Sequence, residues 1–373
     1  MEIRIIIIAL IIVTLIILLV SAGREVDVNT DKQVDGLSPE LQEILYLASL
    51  SPSSHNIQGW ITKVDTGKEQ ITIEADKLRG LNVVDPENRE LHISLGCYTE
   101  TLLYAFKAYG YDAVSTYDTE HHQCVVDFSK TTGEKDDYAV ELLERRHTDK
   151  NPYLPGRKIE ESVAGDILKK TMETRVYLYG SEGFDIIKSA SLTAYTRQAY
   201  NEAAAEELSK WLRLSDKEAK TTKDGLPAEQ LGIRGIKKTL YYCFTDHENA
   251  TGGTFAKQGV ETCKKQLEAA AGFAVIFGNN NEADLVECGR NTVRLWLALT
   301  EQGISVHPMS YALEDRETKE TIKEALNFPK EPQIILRIGY VNDYGKNAKI
   351  RRDLSDYVSV VSSAVIIQNP KGF

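Results

Sequence analysis

The chain has 373 residues, 42% of them hydrophobic, enough apolar material for two ordinary domains with real cores. Its formal net charge of −11 at pH 7 argues against a general nucleic-acid binder, whose footprint is a basic face. A small-molecule partner, and no nucleic acid, is the starting expectation.

From Ile5 to Gly23 the sequence is almost all Ile, Leu, Val and Ala, with Arg4 before it and Arg24 after it. That length can just cross the hydrocarbon core of a bilayer as a helix, so residues 1–24 are expected to form an uncleaved single-pass anchor. Val20-Ser21-Ala22 has the form of a small-residue cleavage site, and a secretory signal peptide is the competing reading. The first places the remaining chain on the membrane, with its soluble part outside the cytoplasm. The second makes it a secreted protein.

A helical pattern then ends at Ser51–Trp60, SPSSHNIQGW, where Pro, two Ser, His, Asn and Gln crowd against a Trp. A capped turn would use the same residues; so would a loop that holds a ligand through neutral hydrogen-bonding groups. Further on, a repeat appears. In Glu90–Ala113 and again in Ala283–Val306, a glycine (Gly96, Gly289) is followed by a second one (Gly110, Gly303) at the same spacing. Between them stand Leu102, Leu103, Ala105 and Phe106 in one copy and Val293, Leu295, Trp296 and Leu299 in the other, at helical spacing. The second glycine suits a left-handed C-terminal cap. Strand-like stretches flank each copy, QITIEAD and DAVSTYD around the first, GFAVIFG and ISVHPMS around the second. A duplicated α+β unit accounts for this order, with halves at about 37–140 and 141–373. The second half carries an insertion at about 189–262, either a lid or plain solvated structure.

Arg145, Arg146, His147, Thr148 and Lys150 form a basic run in an otherwise acidic chain. A solvated helix end is one reading of it. Anion binding is the other, because Arg forks fit phosphate oxygens and Thr adds a neutral donor. A second basic cluster holds Arg351 and Arg352 after the strand-like IILRIGY. The five cysteines are odd in number and never in CxxC spacing, and the seven histidines are scattered, so no metal site and no disulfide framework is expected. There is no Gly-x-Ser-x-Gly, no HExxH and no Gly-rich nucleotide loop, so no side chain is assigned as catalytic.

The order of these elements resembles the nitroreductase superfamily of FMN-dependent oxidoreductases. The resemblance assigns the family's flavin-phosphate motif to Arg145, Arg146, His147, Thr148 and Lys150. It assigns the ring-contacting motif to Pro52, Ser53, Ser54, Asn56 and Gln58, with Gly59 where the family has Pro. Pro308, Met309 and Ser310 match the segment that aims backbone N–H groups at the reactive edge of the ring. The C-terminal phosphate anchor falls on Arg352, or on Arg351 in the alternative register. Each motif occurs once, in different halves, so the chain is similar to the Acg family of twin nitroreductase folds, with one site of two lost. The resemblance implies a duplicated nitroreductase-like fold of two α/β/α halves forming a monomeric intramolecular pseudo-dimer. It also implies FMN as cofactor, NADH or NADPH as reductant, and hydride transfer to an unknown acceptor. An FMN-binding or FMN-sequestering protein with little turnover is the alternative, and a flavin-free interaction domain a third reading.

Overall fold

The computed structural model describes residues 4–7, 10, 13–14, 17, 23–131 and 133–361. Helix α1 (Pro39–Ser49) opens the fold. The Ser38 hydroxyl accepts the Leu41 N–H at 3.2 Å, and Pro39 takes a first-turn position that needs no donor. Strands β1 (Trp60–Asp65) and β2 (Gln70–Ala75), helix α2 (Arg89–Ala108), and strands β3 (Tyr111–Asp118) and β4 (Gln123–Lys130) follow. Next come α3 (Asp137–Arg145), α4 (Glu161–Leu168) and β5 (Thr174–Leu178). A long insertion then runs through α5 (Glu182–Ala199), α6 (Glu202–Trp211), β6 (Leu212–Arg213), α7 (Asp216–Thr222), β7 (Leu226–Pro227), α8 (Ile236–Phe244) and α9 (Gly253–Glu268). The chain continues through β8 (Gly272–Gly278), α10 (Glu282–Glu301), β9 (Ser305–Pro308), α11 (Tyr311–Glu314), α12 (Arg316–Leu326), β10 (Glu331–Gly339) and β11 (Val358–Val360).

The fold is mixed α+β and its topology repeats. The first sheet runs β1-β2-β4-β3 and the second β5-β8-β10-β9, with every one of these pairs antiparallel. In each sheet the long helix joins the second strand to the third. β11 leaves the second unit and adds to the first sheet, parallel to β1, with Val358 opposite Thr62. Residues of β8 alternate between two cores: Ala274 and Ile276 face the main core, while Phe273, Val275 and Phe277 face a second core with Phe184, Ile187 and Leu267 of the insertion. That alternation is the two-residue period of a strand buried on both faces.

The main core is centred on α2 against α10. Both helices have 20 residues, and Gly96 and Gly289 are the eighth residue of each. A Cβ on Gly96 would overlap the backbone oxygen of Val286, and a Cβ on Gly289 would overlap that of Ile93. The two backbones therefore touch at mutual glycines, which only a residue without a side chain permits. The Cys97 thiol donates to the Gly289 carbonyl at 3.2 Å across this crossing.

The expectation of a membrane anchor is corrected here. Among the described residues no helix is long and apolar enough to cross a membrane. Much of residues 1–24 lies outside the described residues, and the membrane-anchored placement that rested on a spanning helix is withdrawn.

Gly96→Ala is expected to lower stability by about 1–3 kcal/mol, the usual cost of overpacking, and Gly289→Ala by a similar amount. Both losses are readable as a lower urea midpoint at unchanged slope. An unchanged midpoint in both variants would contradict the backbone contact.

Candidate functional site

A cavity of about 440 Å³ lies beside the α2–α10 crossing. Its size is that of a small-molecule site. Ile93 and Cys97 of α2 and Thr292 and Trp296 of α10 line it. The loop after α1, the segment after α3, the end of β9 and the insertion complete the wall.

The loop after α1 is bent into an uncommon shape. His55, Asn56 and Gln58 have φ of 49°, 53° and 51°, in the left-handed region that non-glycine residues seldom occupy. Such a bend persists only where its surroundings fix it. Asn56 Nδ2 donates to the carbonyls of Gly225 at 3.1 Å and Ile350 at 3.3 Å, and Asn56 Oδ1 accepts from Arg351 Nη1 at 3.2 Å. Arg351 holds the rest. Its Nε donates to the Ser49 carbonyl, its Nη2 to those of Leu50 (3.0 Å) and Ser51 (3.3 Å), and its Nη1 also to Ile350 (2.6 Å). The carbonyls at and just beyond the end of α1 have no partner within the helix, so a buried guanidinium there satisfies them and meets the negative end of the helix dipole. Burial brings the Arg351 pKa down to about 9, with Arg146 adding to the effect.

The basic segment begins where α3 ends. Arg146 is 3% exposed; its Nη2 donates to the Leu50 carbonyl and its guanidinium carbon lies 4.7 Å from the Trp296 ring centroid. Its Nη1 is buried without a hydrogen-bond partner. Thr148 then bridges to Val306 of β9, and the Asp149 N–H donates to the Val306 carbonyl at 2.9 Å. Arg337 of β10 clamps this run from behind, donating to the carbonyls of Asp149 (3.2 Å) and Asn151 (2.9 Å) under the ring of Tyr153. Lys150 opens onto the cavity with no carboxylate against its ammonium among the described residues, and burial lowers its pKa to about 8. His55 and His307 line the same cavity with unpartnered Nδ1 atoms. Burial holds both neutral, His55 at about 4 and His307 well below the usual range.

Of the residues expected from sequence, Pro52, Ser53, Ser54, Asn56, Arg146, His147, Thr148, Lys150, Pro308, Ser310 and Arg351 line this one cavity. Gln58, Arg145, Met309 and Arg352 do not. Gln58 and Arg352 bind each other outside it: the Arg352 N–H donates to Gln58 Oε1 at 2.9 Å and Arg352 Nη1 to the Gln58 carbonyl at 3.1 Å. Arg145 is exposed, 4.8 Å from the ring centroid of Tyr344. Met309 is fully buried and its sulfur accepts the Tyr311 O–H at 2.9 Å. The Met309 N–H donates to Ile335, and Pro308 has none, which leaves the Ser310 N–H as the free donor of that segment. Arg351, and not Arg352, thus reaches the cavity, and with all five donors taken by protein oxygens it braces the wall.

Sequence reading passed over Trp296, Arg337, Glu90 and Glu314. Arg337 did leave a signal, a lone charge inside the apolar run IILRIGY. Counterparts in the repeat explain why one cavity forms beside the crossing. Ser94 and Cys97 of α2 correspond to Glu287 and Arg290 of α10. Those two join Arg294 and Glu100 in an ion-pair cluster: Arg290 to Glu100 at 2.8 Å, Arg294 to Glu100 at 2.7 Å, Arg294 to Glu287 at 2.8 Å. Long paired side chains stand where small ones border the cavity. The loop between α4 and β5, residues 169–173, is also shorter than its counterpart between α1 and β1.

No family model matches the chain. It is 21% identical over 327 residues to the probable NAD(P)H nitroreductase PigM of Serratia sp. (strain ATCC 39006), covering 82% of this chain and 89% of that protein. Similar solved structures include the FMN-dependent nitroreductase NfnB of Mycobacterium smegmatis in complex with NADPH (16% identity, 59% of this chain and 96% of that one, TM-score 0.37). A nitroreductase-like family protein of Bacillus cereus is another (12% identity, 63% and 100%, TM-score 0.34). In sequence, the likeness over most of the chain is thus to a nitroreductase.

Arg351→Met is expected to destabilise the fold by on the order of 3 kcal/mol, because several buried carbonyls lose a charged donor at once. Chemical denaturation measures this directly. A variant as stable as the parent would show that α1 and the bent loop do not depend on it.

Proposed function

We propose that the chain is an FMN-dependent NAD(P)H oxidoreductase of the nitroreductase type, an Acg-like fusion of two nitroreductase-like halves, about 37–140 and 141–373, with one FMN site. The carrying observation is the orphaned Nη1 of buried Arg146, with the unpaired ammonium of Lys150 on the wall of the same cavity. A buried cation without a counter-ion is costly, and a phosphate would satisfy Arg146 by charge-assisted hydrogen bonds, with the half-buried Lys150 adding positive charge to the cavity. Thr148 adds a neutral hydroxyl there. Ile93, Trp296, Ile334 and Leu336 offer apolar surface to a flat ring, while Ser53, Ser54 and the Ser310 N–H suit its carbonyl and nitrogen edge.

When bound, FMN supplies the chemistry of accepting a hydride from a reduced nicotinamide and passing electrons to a second substrate. The chain's own residues bind, orient and shield. Neutral His55 and His307 add no charge next to the ring site. The Ser310 N–H, which has no protein acceptor among the described residues, would stabilise negative charge on a ligand edge beside it, as an oxyanion donor does. From the insertion, Leu208, Leu212, Leu226 and Tyr241 close one side of the cavity and keep water out. That closure also favours a second reading, FMN held with little turnover. Anaerobic NADPH or NADH separates the two: rapid bleaching of the flavin supports the enzyme, and a persistently oxidised flavin supports storage.

Arg146→Ala and Lys150→Ala are each expected to weaken FMN binding by about 10- to 100-fold, the worth of one hydrogen bond to a charged group. Flavin fluorescence quenching reads this, and unchanged affinity in both variants would misplace the phosphate. A pH dependence follows. A bound phosphate favours the charged form of Lys150, so affinity is full below about 8 and falls as pH rises above it. Lys150→Met is expected to flatten that fall; a wild-type slope in the variant would assign it to another group.

A further inference from the structure

Residues 23–31 belong to no helix or sheet, yet they are pinned along their length. Val26, Val28 and Thr30 are buried while Asp27 and Asn29 face solvent, the alternation of a chain pressed against protein on one side. One end grips residues 228–238, which lead from β7 into α8. The Gly235 N–H donates to the Gly23 carbonyl at 3.2 Å, and a Cβ on Gly23 would overlap the Gly235 backbone. Glu25 pairs with Arg234 at 3.3 Å. The Val26 N–H donates to Glu229 Oε1 at 2.8 Å, and Lys238 Nζ donates to the Arg24 carbonyl at 2.6 Å. Lys238 and Glu229 are themselves an ion pair at 2.6 Å, with side chains 0% and 1% exposed. Asp216 of α7 sets a second carboxylate 2.7 Å from Lys238. The backbone of residues 24–26 thus stands in for water around this buried pair. Were it to leave, Glu229 would lose a donor and Lys238 an acceptor while both stayed buried, which is costly. Detachment of 23–31 and loosening of 228–238 are therefore coupled.

The other end grips the wall that Arg351 braces. The Thr30 hydroxyl donates to the Arg351 carbonyl at 2.9 Å, and the Leu354 N–H donates to the Asp31 carbonyl at 2.9 Å. Between the two ends, Val26 and Val28 pack with Ala219 of α7 and with Ile350. What is gripped matters to the site. Glu229, Gln230, Leu231, Ile233, Arg234 and Tyr241, all within 228–244, line the cavity. The neighbouring end of α7 has ties of its own to the rest of the fold: Gln58 Nε2 donates to the Lys223 carbonyl at 2.9 Å, and Lys223 pairs with Asp353 at 2.6 Å. Residues 23–31 add a separate bridge, from 228–238 to the Arg351 wall.

We propose that residues 23–31 form a strap that holds 228–244 shut over the cavity, and that its release opens the route by which ligands enter and leave. The strap touches the outer side of the segment whose inner side walls the cavity. It acts on the wall whatever ligand the cavity takes, so its role does not depend on FMN. It also explains why a lysine and a glutamate are buried together so close to the cavity: the pair is complete only while the strap is in place.

The test compares the full chain with Gly23→Ala, which pushes the strap off Gly235 and alters no cavity residue, and with the milder Val28→Ala. Hydrogen–deuterium exchange is read by mass spectrometry on peptides from 228–244 and from α2. Labelling by N-ethylmaleimide is read at Cys263, which lines the cavity, and at Cys124, which is buried in the main core. In Gly23→Ala, exchange in 228–244 and labelling of Cys263 are expected to rise about tenfold, as loss of roughly one hydrogen bond of local stability gives. The α2 peptides and Cys124 are expected to stay as in the wild type, and Val28→Ala to move the same two readouts in the same direction. Wild-type protection of 228–244 in Gly23→Ala, or in Val28→Ala should the first fail to fold, overturns the strap. Faster exchange with Cys263 labelling unchanged overturns its control of access. Equal rises at α2 and Cys124 would mean that the whole fold loosens, and overturn both.

Discussion

The contact between α2 and α10 at Gly96 and Gly289 governs the rest of the structure. Because each glycine meets the backbone of the other helix, the two repeats cannot slide or separate without opening a void or a clash. One main core then serves both sheets, with Trp60 and Ile73 from one and Ile276 and Leu336 from the other. β11 reinforces the union by adding to the first sheet a strand from the far end of the chain.

A two-fold-like crossing would present two equal cavities to solvent. The chain breaks that equivalence by side-chain choice. On one side stand Ser94, Cys97 and Trp296, with a bent loop and a basic segment above them. On the other, Glu100, Glu287, Arg290 and Arg294 neutralise one another. Fusing two copies into one polypeptide makes such divergence possible, since a homodimer must carry the same residues on both sides. Two arginines converge on the end of α1 and divide the work. Arg351 is saturated by carbonyls and fixes the wall, whereas Arg146 keeps a buried donor free.

The repeat was legible because glycine spacing and strand alternation are local. Gly96, Gly110, Gly289 and Gly303 mark a close approach and two left-handed caps that few other residues could supply, with φ of 73° at Gly110 and 64° at Gly303. The cavity residues were legible where a motif is contiguous, as in Pro52–Asn56 and Arg146–Lys150. Where neighbouring residues differ only in direction, the sequence was silent. Nothing in RR tells which of Arg351 and Arg352 turns inward; β11 pairing and the Gln58 contact decide it in three dimensions. Asn56 reads as a ligand contact, yet its amide hydrogens are taken by Gly225 and Ile350. Glu90 and Glu314 are ordinary helix acids until the fold sets both on the wall of one cavity from distant segments. The apolar stretch near the N-terminus suggested a bilayer span by composition alone, which the described helices do not support.

The central claim is that one crossing of two like helices leaves one working cavity for one phosphate-bearing ring. The most direct measurement is the FMN stoichiometry of the purified chain, by titration calorimetry with protein concentration fixed by amino-acid analysis. One FMN per chain is the predicted result. Two would show that the Arg290–Glu287 side is open after all, and none would remove the ligand proposed for Arg146 and Lys150.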